Sequence, residues 1–177
     1  TLLSHEIIGH PVEADRVLKY ETAYAGRSWF LKDLSEHYIG KMVASPMVTA
    51  FSDPNLPGYG HYTYDHEGVR GKKVMHIEKG ILKGFMNSRQ TAGILGTEPN
   101  GSYTATDSAY VPLIRMSTTV FAGGDRPPDE IIREIPDGYY LVGMRTPSIS
   151  ESRENFSMTA RKVYKIRRGE IQELYRN

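Results

Sequence analysis

The sequence predicts an α+β fold, in which an N-terminal helix is followed by a mainly antiparallel β domain with a few short helices. Apolar residues recur at helical spacing from residue 2 to about residue 19, with acidic side chains between them. From Met42 onward, several segments are rich in β-branched and aromatic residues and are bounded by Gly, Pro or Asp. This composition is typical of short strands joined by turns.

Pro11 interrupts the N-terminal helix. A proline inside a helix cannot donate a hydrogen bond to the carbonyl four residues earlier, here that of Ile7. It also biases the residue before it, His10, away from helical backbone angles. We therefore expect a kink or a break in this helix near His10.

The later elements follow from local composition. Strands are predicted over residues 41–51, 61–65 and 72–78. Hairpins are predicted around Gly80 and near the end of the chain, between residues 162–166 and 170–171, because glycine accepts the positive φ of a tight turn. Short helices are predicted over residues 88–96 and 128–135, and loops over residues 53–60 and 98–108.

Composition narrows the class of protein. The 177 residues are 39% hydrophobic and 24% charged, which predicts a single domain over residues 1–177 with a sizeable core. The formal net charge is +1, so no overall field favours direct binding to nucleic acid or to an anionic membrane. There is no cysteine and no apolar run long enough to cross a bilayer, which agrees with a cytoplasmic location. The chain begins without methionine, and we interpret it as a piece of a longer protein.

The segment SHEIIGHPVEAD at the start of the chain carries the strongest chemical signal. In the zinc-protease motif HExxH, two histidines four residues apart share one face of a helix and the glutamate polarises the metal-bound water. Here His5 and His10 are five residues apart, with Gly9 in the fourth place. A regular α-helix would separate them by about 140° around its axis, too far for both to reach one ion.

A π-bulge resolves this spacing, because one extra residue in a helical turn returns His10 to the face of His5. Gly9 and Pro11 are suitable places for such a distortion. The alternative is that His5 and His10 are ordinary polar residues at a helix end, and the spacing alone does not exclude it. A metal site therefore requires a non-ideal helix here.

The wider sequence resembles the C-terminal domain of the TldD/PmbA family, which was historically called modulators of DNA gyrase. The resemblance covers almost the whole chain and is carried by SHEIIGHPVEAD, SDPNLPGYG, YDHEGVRG, IEKGILKGFMNSRQTA and FSMTARKVYKIRRGEI. TldD-like subunits keep HExxxH and resemble zinc metallopeptidases, whereas PmbA-like subunits lack the motif and serve as partners. This sequence keeps the motif, so it resembles the catalytic type.

The resemblance implies a role for each motif residue. His5 and His10 would bind zinc, and Glu6 would be the catalytic general base that takes a proton from the attacking water and passes it to the leaving amine. From its position on the turn after His10, Glu13 is a candidate for holding the second ring nitrogen of a histidine ligand, and the alternative is an ordinary residue of a solvated helix surface. The family takes its third protein ligand from a downstream cysteine. This chain has none, and the fragment alone is expected to bind zinc weakly or not at all.

The resemblance also implies a function and partners. It implies a peptidase for unfolded or flexible peptides, acting within a homo- or heterodimer with a PmbA-like subunit, and no direct contact with nucleic acid. The alternative function is a non-catalytic subunit, the shell of a hetero-oligomer with a vestigial HExxxH. A third metal ligand elsewhere in the protein would favour the enzyme.

Other polar residues carry weaker predictions. Asp15 is expected to lie on a solvated helix surface. The histidines of the β region lie in no ligand spacing and are expected to be structural or exposed: His61, His66 and His76. The loop over residues 53–60 is predicted by its turn residues, and the resemblance places it near the active site. Arg115 lies in a segment that matches the family, and no role is assigned to it.

Overall fold

The computed structural model describes residues 4–20, 28–30, 38–151 and 154–175. Its short helices and mainly antiparallel sheets confirm the predicted α+β class. The helical elements are a π-helix His5–Gly9, a 3-10 helix His10–Val12, and the α-helices α1 Ala14–Val17, α2 Arg89–Leu95 and α3 Pro128–Arg133. The strands are β1 Ala50–Ser52, β2 Val74–Glu78, β3 Ile81–Leu82, β4 Tyr103–Thr104, β5 Leu113–Ile114, β6 Thr119–Phe121, β7 Asp137–Ile149, β8 Phe156–Arg167 and β9 Glu170–Tyr175.

The chain folds into two compact units. The first comprises Thr1–Ala122 with Ile149–Asn155, and the second comprises Gly123–Ser148 with Phe156–Asn177. The assignment of a single domain over residues 1–177 stays a prediction. Within the parts of the chain given above, no helix has the length and apolar character needed to cross a membrane.

The first unit is built on a four-stranded sheet with the strand order β3-β2-β1-β6. Strands β4 and β5 form a separate antiparallel pair. One hydrophobic core joins the sheet to the N-terminal helical segment, and its members are Ile8, Val12, Ala14, Val17, Phe30, Ala50, Ile77, Leu82, Phe85, Met86 and Ile114. The candidate motif is therefore attached to the best-packed part of this unit.

The N-terminal segment is helical as predicted, and Leu2 and Leu3 of the predicted helix lie outside the described residues. The predicted kink or break near His10 takes the form of a change of helix type: the π-helix ends at Gly9 and a 3-10 helix begins at His10, which keeps helical angles of φ −65° and ψ −42°. Pro11 is tolerated in the first turn of the 3-10 helix, where its missing N–H costs little. The helical path ends at Glu13, which is extended with ψ 118° and forms a parallel bridge with Met86.

Two predicted strands are largely wrong. Within residues 41–51, all of which are described, only Met42 and the start of β1 pair, because the chain wraps around the β2–β3 turn: the amides of Val43 and Ala44 both donate to Gly80 O. Residues 61–65 contribute a single bridge between Tyr64 and Arg70. The third prediction, residues 72–78, is confirmed as β2 apart from its first two residues.

Both predicted hairpins are confirmed. The β2–β3 turn has positive φ at Lys79 (48°) and Gly80 (82°), and the β8–β9 turn has the same pattern at Arg168 (52°) and Gly169 (77°). Two consecutive residues with positive φ define a type I′ turn, whose twist matches that of the flanking strands. A Cβ at Gly80 would also collide with the backbone carbonyl of Ala44. Glycine is therefore favoured there both by the positive φ and by the lack of space for a side chain.

The helix predicted over residues 88–96 is α2, and its end signals work as expected. Ser88 Oγ accepts from the Thr91 amide in a capping box, and Gly96 ends the helix in the left-handed conformation with φ 65°. Just before this helix, Asn87 and Asn100 each donate a backbone N–H to the other's side-chain oxygen, at 3.0 and 2.8 Å. These bonds fix the loop that follows the helix. This loop contains the two-residue strand β4, which the composition did not predict.

The second unit contains the three-stranded sheet β7-β8-β9 and α3. The helix predicted over residues 128–135 is α3, which begins at Pro128 and ends at Arg133. Strand β7 has 13 residues and was not predicted. Gly138, Gly143 and Pro147 interrupt its sequence pattern, so no continuous alternation of apolar and polar residues marks it.

Candidate metal centre

The π-helix brings His5 and His10 together. The His10 amide donates to His5 O, which is the i to i−5 bond of a π-turn. The two imidazole rings meet edge to face with their centroids 4.5 Å apart. The distortion that the five-residue spacing requires for a shared ion is therefore present, and the two rings lie on one side of the helix.

Gly9 and Pro11 both favour this π-turn. Pro11 has no N–H to donate to Ile7 O, so the regular i to i−4 bond at this point is absent whatever the local geometry. Gly9 is buried, and a Cβ at this position would overlap the Sδ atom of Met116. The thioether of Met116 therefore occupies the space that a side chain at position 9 would need.

Glu6 completes a cluster of three potential donors. It is buried, with 8% of its surface exposed, and its Oε1 lies 3.9 Å from His5 Nε2. One ligand atom from each of His5, Glu6 and His10 can be chosen such that all lie within 4.8 Å of one another. Within the described residues, no other cluster of three or more histidine or acidic side chains comes this close together.

The side chain of Glu13 contacts the Nδ1 atom of the His10 ring. Its carboxylate is fully buried, and Oε2 lies 2.9 Å from His10 Nδ1. The Met86 amide donates to Val12 O and the Ala14 amide donates to Met86 O, at 2.8 and 2.9 Å, so the backbone on both sides of Glu13 is fixed. The contact between Glu13 and a motif histidine is thus present, and the role of Glu13 beside a metal ligand stays a prediction.

Two arginine side chains lie beside the carboxylate of Glu13. The Nε atom of Arg16 contacts Oε2, and the side chain of Arg16 is almost completely buried. The Nη1 atom of Arg115 lies 3.7 Å from Oε1. Burial raises the pKa of Glu13 to about 7, while the charges of Arg16 and Arg115 act in the opposite direction.

The surroundings of His5 favour the neutral form of its imidazole. Burial lowers the pKa of His5, and the neighbouring His10 lowers it further. Neutral imidazole is the form that binds metals. In His10, an Nδ1–H that donates to Glu13 corresponds to the tautomer whose lone pair lies on Nε2, the nitrogen that would face an ion.

Sequence reasoning missed three residues around this centre. Asp15 was expected on a solvated surface, but it is buried with 7% exposure, and its Oδ1 accepts from the Arg16 amide at 2.8 Å. Arg16 and Arg115 received no role. The positive charge of Arg16 three residues after Glu13 was a usable signal, whereas nothing local indicates that Arg115 reaches Glu13.

The remaining candidates lie outside the cluster. His76 is completely buried and contacts Ser52 Oγ and Gly84 O through its two ring nitrogens, so it is structural as expected. His61 and His66 are exposed, and their rings contact backbone groups. The 53–60 loop begins with an Asx turn, in which Asp53 Oδ1 accepts from the Asn55 amide.

The donor atoms of the cluster are of the types that zinc binds. They provide part of the ligand set of a zinc site. Two imidazoles beside a carboxylate are typical of catalytic zinc centres, which take three protein ligands and a water molecule. Ligands of one tetrahedral zinc are about 3.4 Å apart for bonds of about 2.1 Å. The ligand atoms of the cluster lie within 4.8 Å of one another, so a pair wider than about 3.4 Å would need side-chain rotation before both atoms could bind one ion.

The match over the whole chain is to a metallopeptidase C-terminal domain. The family model of the PmbA/TldA metallopeptidase C-terminal domain matches residues 1–177. The chain belongs to this family, and the resemblance stated from its motifs is confirmed.

Three relatives illustrate the match. A metalloprotease of Methanothermobacter thermautotrophicus is 36% identical over 169 residues, covering 96% of this chain and 35% of that protein. A zinc metalloprotease TldD homolog of Saccharolobus solfataricus is 34% identical over 178 residues, covering 99% of this chain and 37% of that protein. The crystal structure of TldE from Thermococcus kodakarensis has a TM-score of 0.77 at 28% identity, covering 97% of this chain and 37% of that one. The chain thus spans little more than a third of each relative.

Proposed function

We propose that this chain is the metal-binding domain of a zinc-dependent peptidase that hydrolyses unfolded or flexible peptides. The π-turn carries the proposal, because it brings His5, Glu6 and His10 within reach of one another despite a spacing unsuited to a regular helix. The names of the relatives support the same class: they are called metalloproteases, and one is called a zinc metalloprotease.

Each residue of the cluster has a proposed task. The ring nitrogens of His5 and His10 would hold the zinc ion, and Glu13 would orient His10 by accepting its Nδ1–H. Catalytic zinc takes three protein ligands. The resemblance implies a cysteine as the third, and these 177 residues contain none, so the proposal takes that donor from outside them.

A zinc ion bound there would supply Lewis-acid activation of a water molecule for attack on a peptide carbonyl. Glu6 is the proposed general base: its carboxylate accepts a proton from the attacking water and delivers it to the leaving amine. The backbone of the π-helix and the near burial of Glu6 keep this carboxylate beside His5.

The sheet suggests how a peptide binds. Strand β6 is at one end of the four-stranded sheet, and it contacts the π-helix. An extended peptide that pairs with β6 would therefore pass the candidate site. Backbone pairing gives affinity with little demand on side chains, which suits a peptidase for varied flexible substrates.

The partner proposal is a homodimer or a heterodimer with a PmbA-like subunit. The similarity to TldE from Thermococcus kodakarensis supports a TldD/TldE-type assembly. A cytoplasmic location and the absence of direct contact with nucleic acid belong to the same proposal, and the formal net charge of +1 agrees with the latter.

The first test is the zinc content of the full-length protein that contains this chain, purified without added metal or chelator. We expect about one zinc per chain, lost in His5→Ala and retained in His66→Ala, which removes an exposed histidine away from the cluster. No zinc in the unsubstituted protein would overturn the proposal.

A non-catalytic subunit is the second candidate function. It is favoured by one observation, that the described residues supply two histidines and no third donor other than Glu6. In that case, the full-length protein would contain no zinc and would still assemble with a PmbA-like subunit. Measuring the mass of the assembly beside its metal content separates the two functions.

A further inference from the structure

Two consecutive residues reach the π-turn from another part of the fold. Arg115 follows β5, and its amide donates to Ser102 O at 2.8 Å, which fixes its backbone. Its guanidinium lies 3.7 Å from Glu13 Oε1, while the side chain of Met116 packs on Gly9. The segment after β5 therefore contacts the π-turn at Gly9 and the buried carboxylate at Glu13.

The two oxygens of Glu13 have unequal surroundings. Oε2 is shared by His10 Nδ1 and Arg16 Nε. Oε1 accepts no hydrogen bond within the part of the chain that the structure describes, and Arg115 is the cation placed beside it. The terminal torsion of a glutamate is broad and close to two-fold, so a carboxylate held at one oxygen only has freedom to turn.

We propose that Arg115 is a positioning residue for the candidate metal site. This proposal rests on the proposed function and extends it. Arg115 attracts Oε1 of Glu13, so that Oε2 stays on His10 Nδ1 and the ring of His10 keeps facing His5. A buried carboxylate is stabilised when charges and hydrogen bonds surround both of its oxygens, which gives the pairing its driving force.

The exposure of Arg115 distinguishes its role from that of Arg16. The side chain of Arg16 is 2% exposed and lies within the core, whereas that of Arg115 is 38% exposed. Removing Arg16 would leave a buried charge uncompensated and endanger folding. Removing Arg115 is expected to leave the fold intact, so that its effect on the site can be measured.

The test uses the full-length protein with Arg115→Met, which keeps the length of the side chain and removes its charge. Arg115→Lys is the conservative variant that restores the charge. Arg126→Met is the matched control, because Arg126 is similarly exposed at 45% and is also paired with a glutamate, Glu134. Zinc affinity is measured by competition with a chromophoric chelator, and thermal unfolding of the metal-free proteins reports the fold.

We expect Arg115→Met to weaken zinc binding by about 10- to 100-fold, as is usual when a residue behind a metal ligand is lost. Arg115→Lys should recover most of that loss, and Arg126→Met should bind zinc as the unsubstituted protein does. The melting temperature of the metal-free proteins should be the same for all. Unchanged zinc affinity in Arg115→Met, or an equal loss in Arg126→Met, would overturn the proposal.

A second readout needs no metal. In metal-free protein with ¹⁵N-labelled histidine, the Nδ1–H of His10 should give a proton signal slowed in exchange by its bond to Glu13. We expect this signal to broaden or vanish in Arg115→Met and to remain in Arg115→Lys. If the protein binds no zinc but the signal responds in this way, the peptidase proposal fails and the positioning role stands. An unaffected signal would contradict the positioning role.

Discussion

The imidazole rings of His5 and His10 meet edge to face at 4.5 Å, although five positions separate these residues in the sequence. On a regular α-helix the same residues would point about 140° apart. Their meeting depends on a single π-turn, and the thioether of Met116 packs against Gly9 within that turn. The candidate centre is therefore sensitive to changes that would be harmless in an ordinary helix.

Glu6→Gln is expected to abolish peptide cleavage while leaving zinc bound. Glutamine keeps the shape of the side chain but cannot accept the proton of the attacking water, and a general base contributes about 10²- to 10⁴-fold to a rate. The measurement is hydrolysis of an unfolded peptide by the full-length protein, with zinc content determined in parallel. Glu78→Gln, which changes an exposed glutamate paired with Lys83, is the control and should keep full activity. Retained cleavage in Glu6→Gln would remove Glu6 from the mechanism.

Gly9→Ala is expected to destabilise the chain by about 1–3 kcal/mol, the usual cost of overpacking. The added Cβ would overlap Met116 Sδ, so the helix or the thioether has to move. In a Met116→Ala background, the same substitution should instead be neutral or stabilising, because alanine is favoured over glycine in a helix by about 0.5–1 kcal/mol.

The measurement is a double-mutant cycle from urea unfolding, followed by fluorescence of Trp29, the sole tryptophan of these 177 residues. The expected result is a coupling between positions 9 and 116 that exceeds about 1 kcal/mol. Additive effects of the two substitutions would show that Met116 does not restrain the π-turn.

Much of the fold was predictable because its signals are local. Gly80 and Gly169 specify two-residue turns, and Ser88 and Gly96 mark the ends of α2, all through neighbours a few positions away. The fold class follows from these elements. The π-turn is local in the same sense, because the five-residue spacing of His5 and His10 allows a shared ion only if the helix contains one.

The remainder depends on contacts between distant segments. The path of the helix ends at Glu13 because Met86 pairs with it, and no property of Pro11 predicts that pairing. Arg115 reaches Glu13 only through the pairing of β4 with β5. The long strand β7 was missed because glycine and proline interrupt its pattern, while its pairing partners follow later in the chain.

Asp15→Asn is expected to stabilise the chain at neutral pH. Burial, with a smaller effect of repulsion from Glu13, raises the pKa of Asp15 to about 6 against the opposing charge of Arg16. The folded protein thus holds this proton to a higher pH than the unfolded chain, so the free energy of unfolding falls as pH rises from about 4 to 6.

Each pH unit between the folded and unfolded pKa corresponds to about 1.4 kcal/mol, so the gain from Asp15→Asn at pH 7 is at most about 3 kcal/mol. It should shrink to about 0.5 kcal/mol at pH 4, close to the unfolded pKa of 3.8, and disappear at lower pH, where Asp15 is protonated in both states. Urea unfolding at pH 4, 5, 6 and 7 measures it. A loss of stability at pH 7 would mean that the pairing with Arg16 outweighs burial.

His76 is expected to produce the opposite pH dependence. Complete burial lowers the pKa of His76 to about 4, and the neutral ring fits its site because Nε2 lies 2.8 Å from Ser52 Oγ while Nδ1 faces Gly84 O. As pH falls below about 6.5, the unfolded chain takes up a proton on His76 that the folded chain does not bind, so stability declines and the loss reaches about 3 kcal/mol near pH 4.

Because Asp15 and His76 titrate over the same range with opposite signs, their effects on stability oppose each other in the unsubstituted chain. His76→Gln should therefore make stability fall more steeply with rising pH between about 4 and 6 than it does in the unsubstituted chain. The control His66→Gln, at an exposed position, should follow the unsubstituted chain, and parallel curves for all three proteins would contradict the assignment.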